Sequence, residues 1–196
     1  HQKAQLIMHT EPKDPHGQDL GLIVNQLGLD SDRQVLFSTQ KVPLEQMGQF
    51  YNMADVTINI SDAEGFGLAT LESLSCGTPI IANMTGGLQE QVVGPEGENG
   101  VAIFPSSKAI IGSQQVPYIY EDRISKESFM AALDKMYFMG HEERRRLGSQ
   151  GHRHVVNNYS FENFEKQWVD LMLKVHEEHG SWPTKAYSSV IFKEIA

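Results

Sequence analysis

Two carboxylates, Glu64 and Glu72, enclose the run Gly65-Phe66-Gly67-Leu68-Ala69-Thr70-Leu71, which follows directly on the apolar segment Val56-Thr57-Ile58-Asn59-Ile60. Gly65 and Gly67 allow backbone conformations and close approaches that a side chain would forbid. If a helix opens at Leu68, its first N–H groups and the positive end of its dipole form a seat for phosphate. Glu72 lies four residues beyond Leu68 on the same helical face, only ~6 Å along the axis from that seat. A carboxylate so close to a bound phosphate is repelled unless it has other work, and accepting the hydroxyl protons of a ribose diol is one such task. Glu64, at the strand end, is placed to bind sugar hydroxyls or a positive charge developing in a transition state. By spacing alone the same residues also fit an ordinary strand-to-helix turn with two unrelated acids, because a short glycine pattern is a weak signal.

The elements that must position these groups are read from the period of the apolar residues. Short apolar runs at Ala4 to His9, Gln34 to Ser38, Val56 to Ile60, Pro79 to Asn83 and Val101 to Phe104 predict strands. Between them, Asp19 to Leu27, Leu44 to Met53, Leu68 to Ser75 and Leu88 to Val93 carry helical spacing. Strands alternating with amphipathic helices predict an α/β, Rossmann-like, doubly wound parallel sheet covered on both faces. In such sheets ligands bind where strand carboxyl ends run into helix N-termini, which is where Glu64 to Leu68 falls. From Lys126 onward three helices are expected, at Lys126 to Met139, Glu142 to Asn158 and Phe161 to Glu178. Ser125 and Ser160 are the expected N-caps of the first and last.

At 196 residues and 40% hydrophobic content, the chain can bury a sizeable core. A formal charge of −9 argues against general affinity for nucleic acid or an anionic membrane surface. The cluster Arg144-Arg145-Arg146 follows Glu142-Glu143 and reads as a solvated helix face. The single cysteine, Cys76, fits a reducing compartment, and no apolar run has membrane-spanning length, so a cytoplasmic location is expected. The chain opens at His1 and goes almost at once into a strand-like run, so it is expected to be a piece of a longer protein. Residues 1–179 are expected to form one domain, with 180–196 as a tail that docks through Trp182, Tyr187, Val190, Ile191 and Phe192.

From Val42 to Phe104 the sequence resembles the second domain of glycosyltransferase family four, the retaining group with the GT-B fold. Five blocks in order carry the resemblance: Tyr51-Asn52-Met53-Ala54-Asp55; the Glu-x7-Glu pair Glu64 and Glu72; Ser75-Cys76-Gly77-Thr78-Pro79; Gly86-Gly87-Leu88-Gln89-Glu90; and Asn99-Gly100-Val101. The resemblance implies transfer of a hexosyl unit from a nucleotide-diphosphate sugar to an acceptor hydroxyl with retained anomeric configuration, and with neither metal nor cofactor. By this analogy Glu64 contacts the transferred sugar as the catalytic residue. The stretch Gly65, Phe66, Gly67 and Leu68 faces the diphosphate, and Glu72 binds the ribose. Residues from Thr39 to Val42 lie against the base, and Gly86 and Gly87 either border the cleft or form a purely structural turn; apart from the analogy, His9 at the end of the first strand lies at a ligand-facing edge, in reach of the donor. The acceptor, a glycan, lipid or other hydroxyl compound, would be held by an N-terminal domain.

The sequence departs from the family pattern in two places. The first strand-helix unit of the domain, which usually carries an Arg and a Lys against the leaving diphosphate, is missing, and so is the acceptor domain. The chain by itself is therefore expected to be inactive, since leaving-group electrostatics are often the largest catalytic contribution. The segment 106–122 is an insertion, read as a loop packed over the helices, with an acceptor-side or partner surface as the alternative that its aromatic and Gln content leaves open. A non-catalytic sugar-nucleotide-binding module remains open as an alternative, as does an epimerase or phosphorylase on the same fold. Asp30-Ser31-Asp32 imitates a metal motif but sits at a helix end and reads as a turn. The pairs His152 with His154 and His176 with His179 have no ligand partners nearby in sequence and read as exposed helical histidines.

Overall fold

The computed structural model describes residues 4–15 and 17–181. The chain separates into two units, the first ending at Met47 and the second beginning at Gly48.

In the first unit, β1 (Leu6–Met8), α1 (Leu20–Gln26) and β2 (Val35–Phe37) form a strand-helix-strand arrangement in which β1 and β2 pair in parallel. The carboxyl group of Asp19 caps α1 by accepting from the Leu22 N–H at 3.0 Å. Asp30 Oδ1 accepts from the Asp32 N–H at 2.9 Å, the side-chain turn expected for that pair. The next helix, α2 (Leu44–Asn52), contains the boundary between the units.

The second unit is built on three parallel strands in the order β3 (Thr57–Asn59), β4 (Ile80–Asn83) and β7 (Gly100–Ile103). Between β3 and β4 runs α3 (Leu68–Ser75); between β4 and β7 lie α4 (Leu88–Val92) and a short ribbon of β5 (Val93–Gly94) with β6 (Gly97–Glu98). All four residues of β4 are buried. Alternation along that strand divides the core in two. Ile80 and Ala82 pack with Leu74 of α3 and with Leu88 and Val92 of α4. Ile81 packs with Val101, Ile103, Ala132 and Met136. The last two belong to α5 (Lys126–Phe138), so helices cover both faces and the doubly wound α/β class is confirmed.

Helix α6 (His141–Asn158) approaches the end of α3 closely. A Cβ on Gly148 would stand 1.9 Å from the Gly77 carbonyl oxygen, and one on Gly151 would stand 2.5 Å from a Leu74 methyl. The buried stripe of α6 runs Leu147, Gln150, Gly151, His154, at helical spacing. This corrects the expectation for the histidines of α6. His152 is exposed, but His154 is only 2% exposed and sets Nδ1 3.4 Å from Glu96. Asn157 donates to the same Glu96 carboxylate, holding it below the ordinary carboxylate range.

The insertion is an antiparallel hairpin of β8 (Ser107–Ile111) and β9 (Ile119–Arg123), not a loop packed over the helices. Paired backbone, with Ile110 opposite Tyr120 and Ile111 opposite Ile119, makes a ribbon whose side chains stay largely exposed. The final helix, α7 (Phe161–His179), has no buried residue and displays Phe161, Phe164, Trp168 and Met172. Among the described residues no helix is long and apolar enough to cross a membrane. The expected docking of the tail lies outside the described residues beyond Ser181.

Both predicted serine caps are present: Ser125 accepts from the Ser128 N–H at 3.0 Å and Ser160 from the Asn163 N–H at 3.3 Å. Ser125→Ala is expected to lower the unfolding free energy in urea by about 1 kcal/mol, because it orphans a first-turn donor of α5 beside the core.

Candidate donor site

Strand β3 ends at Asn59, and the chain turns through Ser61-Asp62-Ala63 to Glu64. Asn59 shapes that turn twice. Its Oδ1 accepts from the Ser61 N–H at 3.0 Å, and its Nδ2 reaches a Glu64 carboxylate oxygen at 3.4 Å. Glu64 is half-buried at the carboxyl edge of the sheet.

Gly67 is the N-cap of α3 and holds φ 86°, ψ 58°, the left-handed region that glycine enters without penalty. With no side chain, it leaves the first-turn N–H groups of the helix without a side-chain acceptor, so they are available to an anion. A Cβ at Gly67 would also meet a Leu88 methyl at 2.5 Å.

The loop from Glu64 to Gly67 rests on the turn after β4. The Gly87 N–H donates to the Gly65 carbonyl at 3.0 Å. A Cβ on Gly86 would lie 1.6 Å from the Glu64 carbonyl oxygen, and one on Gly87 would lie 2.7 Å from that of Phe66. Gly86 and Gly87 are thus the surface on which the acidic loop is laid. Behind them the buried Gln91 donates from Nε2 to the Phe66 carbonyl at 2.5 Å and to the Gly67 carbonyl at 3.1 Å. The Phe66 ring packs edge-on against Tyr159, with centroids 5.7 Å apart, and Tyr159 packs against His154.

A second set of contacts ties the turn to the hairpin root. Thr85 donates to the Asp122 carboxylate at 2.9 Å. The buried Asn83, at the end of β4, donates both to the Ser61 carbonyl at 2.9 Å and to the Asp122 carbonyl at 2.8 Å. The Arg123 guanidinium pairs with Asp62 at 2.9 Å.

On α3, Glu72 is exposed and accepts from the Tyr51 hydroxyl at 2.7 Å. Burial, then the hydrogen bond to Glu72, pushes the Tyr51 phenol well above its ordinary value. Leu68 is also exposed, one turn before Glu72.

Glu64, Gly65, Phe66, Gly67, Leu68, Glu72, Gly86 and Gly87 therefore all belong to the second unit and to one edge of its sheet. Thr39, Val42 and His9 belong to the first unit, where His9 Nδ1 lies 3.0 Å from the Ser38 hydroxyl at the ends of the two strands. Sequence reasoning missed Tyr51, Asn59, Thr85 and Gln91. For Gln91 a signal existed: it lies three residues after Leu88, on the face of α4 that must be buried.

A parallel sheet covered on both faces, with a glycine-flanked acidic loop opening a helix at its carboxyl edge, is a Rossmann-like ligand-binding unit, the architecture expected of one half of a GT-B fold. The chain belongs to the glycosyl transferases group 1 family, whose model matches residues 30–135. It is 27% identical over 172 residues to MMP alpha-(1->4)-mannosyltransferase of Mycolicibacterium hassiacum, covering 88% of this chain and 35% of that protein. Sucrose-phosphate synthase from Thermosynechococcus elongatus has the same fold, with a TM-score of 0.64 at 24% identity over 89% of this chain and 38% of the synthase. Anabaena HepE, solved in complex with UDP and glucose, matches with a TM-score of 0.55 at 17% identity, over 80% of this chain and 36% of its own. The chain thus spans about a third of the length of these proteins.

Proposed function

We propose that this chain is the donor-binding part of a retaining glycosyltransferase, taking a nucleotide-diphosphate sugar and passing its hexosyl group to an acceptor hydroxyl. The uncapped start of α3 receives the diphosphate, with the backbone of Phe66, Gly67 and Leu68 toward it. Glu72, one turn further along the helix, accepts the ribose hydroxyls, and Glu64 faces the transferred sugar. Glycosidic cleavage develops positive charge at the anomeric carbon, and a carboxylate aimed there stabilises it. Donor binding in this reading uses backbone N–H groups and carboxylates and calls on no metal or cofactor.

The observation that carries the proposal is the support of the acidic loop. Four carbonyls of the loop, those of Glu64, Gly65, Phe66 and Gly67, face Gly86, Gly87 or Gln91, while the start of α3 carries no side-chain cap and Glu72 is exposed. The names of the relatives agree with it: the mannosyltransferase transfers a sugar, and HepE binds UDP and glucose.

Calorimetric titration of the chain with UDP, GDP and ADP tests the reading. At least one is expected to bind, and Glu72→Ala is expected to weaken it by roughly 10- to 100-fold, the worth of hydrogen bonds to a charged acceptor. An unchanged affinity in that variant removes the ribose assignment.

A further inference from the structure

We propose that Tyr51 is a positioning residue for Glu72, fixing its carboxylate as an acceptor for a vicinal diol and thereby setting the preference for ribonucleotides over deoxyribonucleotides. The inference rests on the assignment of Glu72 to the ribose made above.

Glu72 stands on the exposed side of α3, where a glutamate has three freely turning bonds and would lose that freedom on binding a ligand. Tyr51 removes much of this freedom beforehand. Its hydroxyl donates to Glu72 Oε2 at 2.7 Å, a well-formed hydrogen bond. A carboxylate offers about four acceptor positions, so one is taken by Tyr51 and both oxygens keep room for a ligand hydroxyl. The phenol stays protonated through the neutral range, since burial and the neighbouring acid both oppose its ionisation.

Tyr51 is itself held by the helix that it serves. Its carbonyl accepts from the buried Thr78 hydroxyl at 3.0 Å. The Thr78 N–H donates to the Ser73 carbonyl at 3.0 Å, and the Ser73 hydroxyl donates back to the Thr78 carbonyl at 3.1 Å. Ser73 is the residue after Glu72, so the contacts form a closed circuit over the last turn of α3. With its backbone held in this way, Tyr51 offers its hydroxyl to Glu72 Oε2 from a fixed point on α2. Preorganisation of this kind improves affinity by cutting the ordering cost of binding.

The test is calorimetry on the full chain with whichever of UDP, GDP and ADP binds, together with its 2′-deoxy and 3′-deoxy analogues. The wild type is expected to favour the ribonucleotide. Tyr51→Phe is expected to weaken the ribonucleotide by about five- to tenfold while changing the deoxy analogues little, the scale of the ordering cost of one rotamer-rich side chain. In a Glu72→Ala background the same substitution is expected to add nothing, because the partner is gone. A purely structural tyrosine would weaken all three ligands alike, and that result, or no change at all, overturns the proposal. If thermal unfolding shows an intact wild-type chain that binds none of the nucleotides, the donor-site reading fails first and the role of Tyr51 with it.

Discussion

Gly86→Ala is expected to lower the unfolding free energy by about 2–4 kcal/mol, the range of overpacked sites with backbone strain added. The added methyl would fall 1.6 Å from the Glu64 carbonyl oxygen, and the backbone there has φ 48°, in the left-handed region. Neither obstacle can be relieved by turning a side chain, because the obstructing atom is main chain. The turn after β4 and the loop after β3 must move apart, and Glu64 moves with its own carbonyl. The expected result is therefore a double loss, of stability in urea and, under the proposed function, of sugar transfer. Gly28→Ala serves as the control: it has a positive φ of 65° but nothing within 4 Å of the added methyl, so its loss should be confined to about 1 kcal/mol of backbone strain. If Gly86→Ala is no worse than Gly28→Ala, the close approach is not what fixes the loop.

Glu64→Gln is expected to reduce sugar transfer by at least about 100-fold, the scale on which removal of one transition-state electrostatic contact acts. The amide keeps the size of the side chain and its reach to Asn59, 3.4 Å away, so folding should be unaffected. Nucleoside diphosphate affinity should be unchanged as well, because the nucleotide is assigned to Glu72 and the start of α3. A fall in turnover with constant nucleotide binding is the pattern of an interaction made in the transition state. Full turnover in Glu64→Gln would take the sugar assignment away from this residue.

How much of this could be read from the sequence depended on whether partners are neighbours along the chain. The strands β3, β4 and β7 and the helices α3 and α4 follow from apolar period, because each element carries its own pattern. Glu64, Gly67 and Glu72 were legible for the same reason, being one strand-to-helix connection. Tyr51 was not, and of Gln91 only its burial was. Tyr51 meets Glu72 across 21 residues and Gln91 meets Phe66 across 25, and no local period encodes such meetings. The two-residue strands β5 and β6 are too short to show alternation at all. In the hairpin, Ile110 and Ile111 break the in-out alternation of β8, which is why 106–122 reads as a loop until its backbone pairing is seen. His154 was misplaced because composition dominates the reading of α6. In a helix so rich in charge and histidine, the burying factor is the absence of side chains at Gly148 and Gly151, which lets the helix close onto α3.

The hairpin also divides into two parts that are free to change at different rates. Its root is committed: the Asp122 carboxylate, carbonyl and N–H are all engaged, by Thr85, Asn83 and Asp62, and Arg123 answers Asp62. Its tip is not. From Gly112 to Tyr118 the chain folds back on itself, with the Ser113 N–H donating to the Val116 carbonyl and the side chains exposed. Lengthening, shortening or rewriting the tip leaves the root's ties, and hence the seat of the acidic loop, as they are. An enzyme lineage can therefore diversify at this ribbon without renegotiating the machinery at the sheet edge a few residues away.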